Sequence, residues 1–270
     1  MHPEVEDRLT SMSRHGDIPH LLLHGLRGSD KMTLVRHLLE KLYGPGVNRV
    51  TAEKRVVETA SSKHTIEIDV RVSNYHIEME PSDAGVNDTY VVQHAIKEMA
   101  NNGSIAAVSK NCDATHKTIV LRGAGDLSKQ AQAGLRRTME KFTASCRLVL
   151  VSTFASRVAE PLRSRCVLIR VPLPSAENLA AAIGIDDKAL VLQIVESSGR
   201  SISRAMFMAK AGSADKMLWV KYIESISTGV FLEQSPRKLI DVRDSLNELL
   251  VAGVPASLVL KTLNAPPDLP

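Results

Sequence analysis

Short apolar strand-like runs alternate with amphipathic helical stretches through the first two thirds of this chain. That alternation restricts the fold more than any other feature, because it is the signature of a parallel sheet covered by helices. Residues 3–15 space Val5, Leu9 and Met12 as one helix face does, with Gly16 as the stop. Residues 20–24 (HLLLH) predict a short buried strand, followed by a glycine-containing loop and a helix from Lys31 to about Leu42. There Leu34, Leu38 and Leu42 recur one turn apart, and Gly44-Pro45-Gly46 ends the run. Residues 65–79 place Ile66, Ile68, Val70 and Val72 on one face of a strand and Glu67, Asp69 and Arg71 on a solvated one, with a break at Asn74. Asn87 or Asp88 can cap the next helix, to about Ala100, and Ser128 another to about Phe142. Residues 118–121, 148–151 and 167–171 complete the strands.

After Pro172 the pattern turns wholly helical, with short helices over 174–182, 187–197, 201–210, 215–227, 235–251 and 254–263. Gly184, Gly199 and Gly212 punctuate them, and Pro266-Pro267 ends the pattern. The organisation expected is an α/β sheet domain over 1–172, a small helical domain over 173–212 and a further helical segment over 213–270.

Composition removes several classes. A hydrophobic fraction of 44% with 24% charged residues fits a soluble chain with a buried core, not a disordered or collagen-like one. No apolar run approaches the ~20 residues of a bilayer-spanning helix. The start, Met1-His2-Pro3-Glu4, has no basic-then-apolar signal pattern. Cys112, Cys146 and Cys166 are scattered, so free thiols in a reducing compartment are expected. The net charge of +4 permits an acidic partner such as nucleic acid. With aromatics at 3%, base stacking has few platforms, so phosphate contact is the mode expected of any DNA binding.

The loop Gly25-Leu26-Arg27-Gly28-Ser29-Asp30-Lys31-Met32-Thr33 lies between strand and helix, where a phosphate-binding loop belongs. Gly25 and Lys31 match that pattern. Asp30 stands where the second glycine should let the backbone approach phosphate, and its carboxylate can instead cap the helix as an internal anion. Met32 replaces the magnesium-ligating hydroxyl, and Thr33 falls one residue late, about 100° around the helix. The loop is therefore either a relic of an ATP site or an ordinary turn. Residues 118–121 are followed by Arg122-Gly123-Ala124-Gly125, with no acid to hold magnesium before Asp126.

Four segments occur in order around this loop: residues 16–25 (GDIPHLLLHG), 73–85 (SNYHIEMEPSDAG), 135–142 (LRRTMEKF) and 163–166 (RSRC). Together they resemble the small subunits of the eukaryotic replication factor C clamp loader, of the AAA+ family, and SNYH followed by PSDAG resembles the branch called subunit 3. The resemblance runs from about His2 to Leu263. It implies an AAA+ α/β domain, a small helical lid and a partial helical collar within a hetero-pentameric open ring. It further implies DNA replication and repair in the nucleus, with the other replication factor C subunits, the sliding clamp and primer–template DNA as partners and no membrane. Such rings hold ATP and magnesium between neighbours, and Ser164-Arg165-Cys166 matches the motif that lends an arginine to the neighbour's γ-phosphate. The chain's own degenerate nucleotide site would comprise Gly25, Gly28, Ser29, Lys31 and Thr33.

An arginine suits the trans-acting task because it stays charged and forks onto phosphate oxygens. From the residues alone, Arg165 reads first as a surface arginine paired with a nearby acid. The helix over 128–142 is the DNA candidate, with Ala131, Leu135 and Met139 inward and Arg137 and Lys141 on another face beside Arg136. Its alternatives are a solvated basic face, or Arg136 and Arg137 bridging to the next subunit. Against the family pattern, the chain starts after a Tyr-Arg-Pro segment that helps hold adenine and stops early in the collar. Thr153 occupies the sensor-asparagine position, and Ser203, next to Arg204, that of the sensor arginine.

The nine histidines show no metal spacing. His20 and His24 read as flanking a strand, and Trp219 and Phe207 as core or collar packing. No nucleophile–base constellation is present. The expectation is a non-catalytic clamp-loader subunit, the alternatives an autonomous P-loop nucleoside triphosphatase and a truncated relic with no assembly role.

Overall fold

The structure is a computed structural model that describes residues 2–13, 17–58, 65–101, 116–143, 145–185, 187–212 and 218–263. Cys112, Gly16 and the Pro266-Pro267 terminus lie outside the described residues. The sheet is built around β1 (Leu21–His24), whose three leucines are wholly buried. It pairs in parallel with β6 (Cys146–Ser152) on one side and β7 (Val167–Arg170) on the other. Beyond β6 come β5 (Lys117–Leu121) and β4 (His76–Met79), also parallel. Side chains alternate between faces along a strand, so each strand feeds two cores. Leu22, Ile119, Leu121, Leu148 and Leu150 join one. Leu21, Leu23, Val120, Val149 and Ile169 join the other.

The expected parallel sheet carries an antiparallel extension. β3 (Thr65–Val72) pairs with β4, and β2 (Thr51–Glu58) closes the edge against β3. β3 follows the alternation of its sequence, with Ile68 and Val70 buried and Glu67, Asp69 and Arg71 exposed. β2 was not anticipated. An edge strand needs little apolar pattern, and of residues 51–57 only Val57 is buried.

Helices cover both faces. α1 (Pro3–Ser13) and α2 (Lys31–Tyr43) pack on one through Leu9, Leu34, Val35 and Leu39. α3 (Asp88–Asn101), α4 (Lys129–Lys141) and α5 (Glu160–Arg163) cover the other through Ile96, Leu135, Met139 and Leu162. Ser128 caps α4 as expected, its Oγ accepting the Ala131 N–H at 3.1 Å. Asp88 is used differently from expectation: its carboxylate accepts Ser128 N–H at 2.6 Å and Ser128 Oγ–H at 2.8 Å, fastening α3 to the start of α4.

The helical remainder forms two further clusters. α6 (Ala176–Ile183), α7 (Lys188–Ser197) and α8 (Ile202–Ala211) close around Leu179, Ile194 and Ala205. α9 (Leu218–Leu232), α10 (Pro236–Val251) and α11 (Ala256–Leu263) close around Ile223, Ile226 and Leu249. Trp219 packs on this last core with the Arg204 guanidinium 5.7 Å from its ring centroid, bridging α8 and α9. Phe207, expected in core or collar packing, is 63% exposed. Among the described residues no helix is long and apolar enough to cross a membrane.

At the amino ends of the strands lies a polar network. Arg147 donates to Asp17 and to Ile18 O, and His116 Nε2 lies 2.5 Å from Asp17 Oδ1. His20 Nδ1 accepts the Leu148 N–H at 3.1 Å, while its buried Nε2 has no partner among the described residues. Burial, with Arg147 close by, lowers the His20 pKa from 6.5 to about 4. A histidine held neutral by the fold takes up its proton more readily when unfolded, so its contribution is complete above 6.5 and is lost as the pH falls toward 4. The thermal midpoint should therefore drop over that interval. His20→Asn, which keeps an acceptor for Leu148, should flatten the drop; an unchanged profile in the variant would show that another group sets the acid limb.

Candidate functional site

The carboxyl end of β1 delivers residues 25–30 onto the start of α2. Gly25 is obligatory, since a Cβ there would lie 2.0 Å from Val171 O. Gly28 has φ 88°, and a Cβ on it would lie 2.4 Å from Ser201 Oγ. Its carbonyl accepts the Ile202 N–H at 3.0 Å, so the loop is fastened to the start of α8. Ser29 is buried, its Oγ donating to Leu26 O at 2.9 Å, and His2 Nε2 sits 3.2 Å from its carbonyl.

Asp30 adopts φ 59°, ψ 40°, the left-handed conformation that suits a glycine. The expected cap is not made. A capping side chain reaches the first-turn N–H groups from an extended backbone, and Asp30 instead accepts Thr33 Oγ–H at 2.7 Å. Lys31 turns back on its own loop, donating to Gly25 O at 2.7 Å, Leu26 O at 2.8 Å and Ser29 Oγ at 3.3 Å. Burial, helped by nearby Arg27, lowers the pKa of its ammonium. Met32 packs against the core under α1 and α2.

A cleft of about 470 Å³ opens beside this loop. The structure brings Gly28, Lys31, Thr153 and Ser203 together on its wall, four positions from three separate parts of the sequence. Glu80 is matched with Arg122 at 3.2 Å and Asp126 with Arg157 at 2.8 Å, while Arg27 stands exposed on the same wall. A magnesium triphosphate requires a glycine and a hydroxyl where Asp30 and Met32 stand, and a free ammonium where Lys31 is engaged. The residues present do not fit that group.

The second set of predicted residues gathers at the junction of α4 and α5. Arg165 Nε donates to Glu140 Oε1 at 2.9 Å, Nη2 lies 2.6 Å from the same oxygen as an ion pair, and Nη1 donates to Pro161 O at 2.7 Å. Arg136 Nε donates to the same Glu140 oxygen at 3.4 Å. These hydrogen bonds, Arg165 first, hold the Glu140 carboxyl below its ordinary pKa. Arg165 is thus paired with a nearby acid in the chain as it stands. Ser164 Oγ donates to Pro161 O at 3.3 Å, whereas Cys166 is buried in the core and burial pushes its thiol pKa up to about 11. Arg137 is exposed, and Lys141 Nζ lies 5.3 Å from the Phe142 ring centroid. Arg165 and Arg136 meet at Glu140, and neither they nor Arg137 and Lys141 line the Lys31 cleft. Glu140 was not singled out from sequence, although its spacing of four from Arg136 is the signal of a helical ion pair.

No family model matches the chain. Individual relatives do. It is 36% identical to replication factor C subunit 3 of Arabidopsis thaliana, over 97% of this chain and 79% of that protein. It is 37% identical to replication factor C subunit 5 of Oryza sativa subsp. japonica, over 98% and 80%. It is 34% identical to replication factor C subunit 3 of Homo sapiens, over 97% and 78%. Among solved structures, a RuvB variant of Thermotoga maritima superposes with a TM-score of 0.53 at 13% identity, over 97% of this chain and 87% of that one, a likeness of fold.

The Asp30 backbone yields a prediction. Asp30→Gly should stabilise the chain by about 1 kcal/mol, because glycine occupies left-handed φ without strain and the hydrogen bond lost is exposed. Chemical denaturation measures it; a loss of stability would show that Asp30 anchors the loop through its side chain.

Proposed function

The chain belongs to the family of replication factor C subunits, and from that premise we propose that it serves the clamp loader as a member that does not hydrolyse ATP itself. In this reading it lends Arg165 to a magnesium–ATP site on an adjoining subunit. It thereby helps load the sliding clamp onto primer–template DNA during replication and repair in the nucleus. We take residues 1–172 as the AAA+ domain, 173–212 as the lid and 213–270 as a partial collar within a hetero-pentameric ring. The observation that carries the reading is Lys31, whose ammonium is spent on its own loop beside the Asp30 carboxylate. An arginine at the α4–α5 surface, 34% exposed, has the access that a trans-acting group needs.

Two further features support it. Arg136, Arg137 and Lys141 lie exposed on one helix, where they can follow phosphates without reading sequence. α9 and α10 expose Leu218, Phe231, Leu232, Leu239, Ile240 and Val251, large apolar side chains of the kind that mark interaction surfaces when they gather. This suits a collar packed against sister subunits.

A second reading, an autonomous nucleoside triphosphatase, draws on the cleft, where Lys31 and Asp126 share a wall. Magnesium-dependent turnover by the isolated chain, abolished by Lys31→Ala, would establish it.

The principal experiment is reconstitution with the other small subunits. Arg165→Ala should leave assembly intact while hydrolysis at the adjoining site falls on the order of 10³-fold, as expected for an arginine finger. A chain that stays monomeric beside those subunits, or a complex whose hydrolysis ignores the substitution, would defeat the reading.

A further inference from the structure

A guanidinium steers a phosphate only if its plane is held, since catalysis by charge depends on orientation as much as on proximity. In this chain the holding is done by two elements. Pro161 O, from α5, takes an N–H of Arg165 Nη1 at 2.7 Å. Glu140 Oε1, from the last turn of α4, accepts Nε–H at 2.9 Å and pairs with Nη2 at 2.6 Å. Each terminal nitrogen keeps at least one N–H outside these contacts, so a donor pair stays open while the rest of the group is gripped.

We infer that Glu140 is the positioning residue for Arg165: it fixes one edge of the guanidinium so that the remaining donors face the phosphate of the adjoining subunit's nucleotide. This rests on the reading of Arg165 as trans-acting. α4 is a stiff mount for the carboxylate, because Leu135 and Met139 of the same helix are buried in the core. Arg136 reaches the same oxygen from one turn back at 3.4 Å, steadying the carboxylate. It also settles the charge. Two guanidinium groups on one carboxylate leave the cluster net positive, so the grip does not cancel the attraction for phosphate. Were Glu140 merely a surface partner, the contact would contribute little and its removal would be silent in the neighbour's chemistry.

The test uses the complex reconstituted with the other small subunits and reads steady-state ATP hydrolysis, with co-elution confirming assembly. Glu140→Ala should lower kcat roughly tenfold, with KM for ATP unchanged, because it costs orientation and not binding. Glu140→Gln, which keeps the accepting oxygen, should retain most of the rate. Added to Arg165→Ala, Glu140→Ala should change nothing further. If Arg165→Ala lowers the rate but Glu140→Ala raises it, or lowers it equally in both backgrounds, the positioning role is overturned and the trans-acting arginine stands. If Arg165→Ala has no effect, both fall together.

Discussion

Leu21, Leu22 and Leu23 have no solvent exposure, and everything chemical in this chain is placed by that fact. A strand buried on both faces and paired on both edges cannot shift by one residue without turning its core side chains to the wrong layer. β1 therefore sets where its loop emerges, and Gly25, pressed against Val171 O, turns the chain there at once. The carboxyl ends of β4, β5 and β6 open onto the same side, which is how Lys31, Thr153 and Asp126 come to share a cleft. This is the general position of ligand sites in open α/β sheets.

What can be read in advance is governed by how strongly burial constrains each segment. HLLLH is legible because a short apolar run bounded by polar residues fits a strand buried on both faces, and LRRTMEKF because its apolar positions recur at helical spacing. β2 escapes notice because an edge strand with a single buried valine has almost no pattern to read. The Asp30 mismatch was visible in the loop, but its consequence was not. Whether the carboxylate caps the helix depends on a backbone angle, and the sequence allowed both outcomes. Glu140 escaped for another reason: its partner lies 25 positions later and approaches only once α5 packs on α4.

The two groups of polar residues differ in how their charges are settled. Around the cleft, Glu80 and Asp126 pair with arginines and Lys31 is absorbed by carbonyl oxygens, leaving Arg27 as an exposed cation on its wall. At the α4–α5 surface one carboxylate is shared by two guanidiniums, and Arg137 and Lys141 stand exposed on the same helix. Most of the cleft's charge is thus settled within the chain, while the α4–α5 surface keeps a surplus that another molecule can meet.

The bond from Ile202 N–H to Gly28 O bears on mechanics as well as geometry. Swinging α8 away from the sheet would break it, and Gly28 leaves no slack against Ser201. The loop and the α6–α8 bundle are therefore tied at this point, so a rotation of α8 is carried straight into the backbone beside Lys31, like a lever with its short arm in the loop.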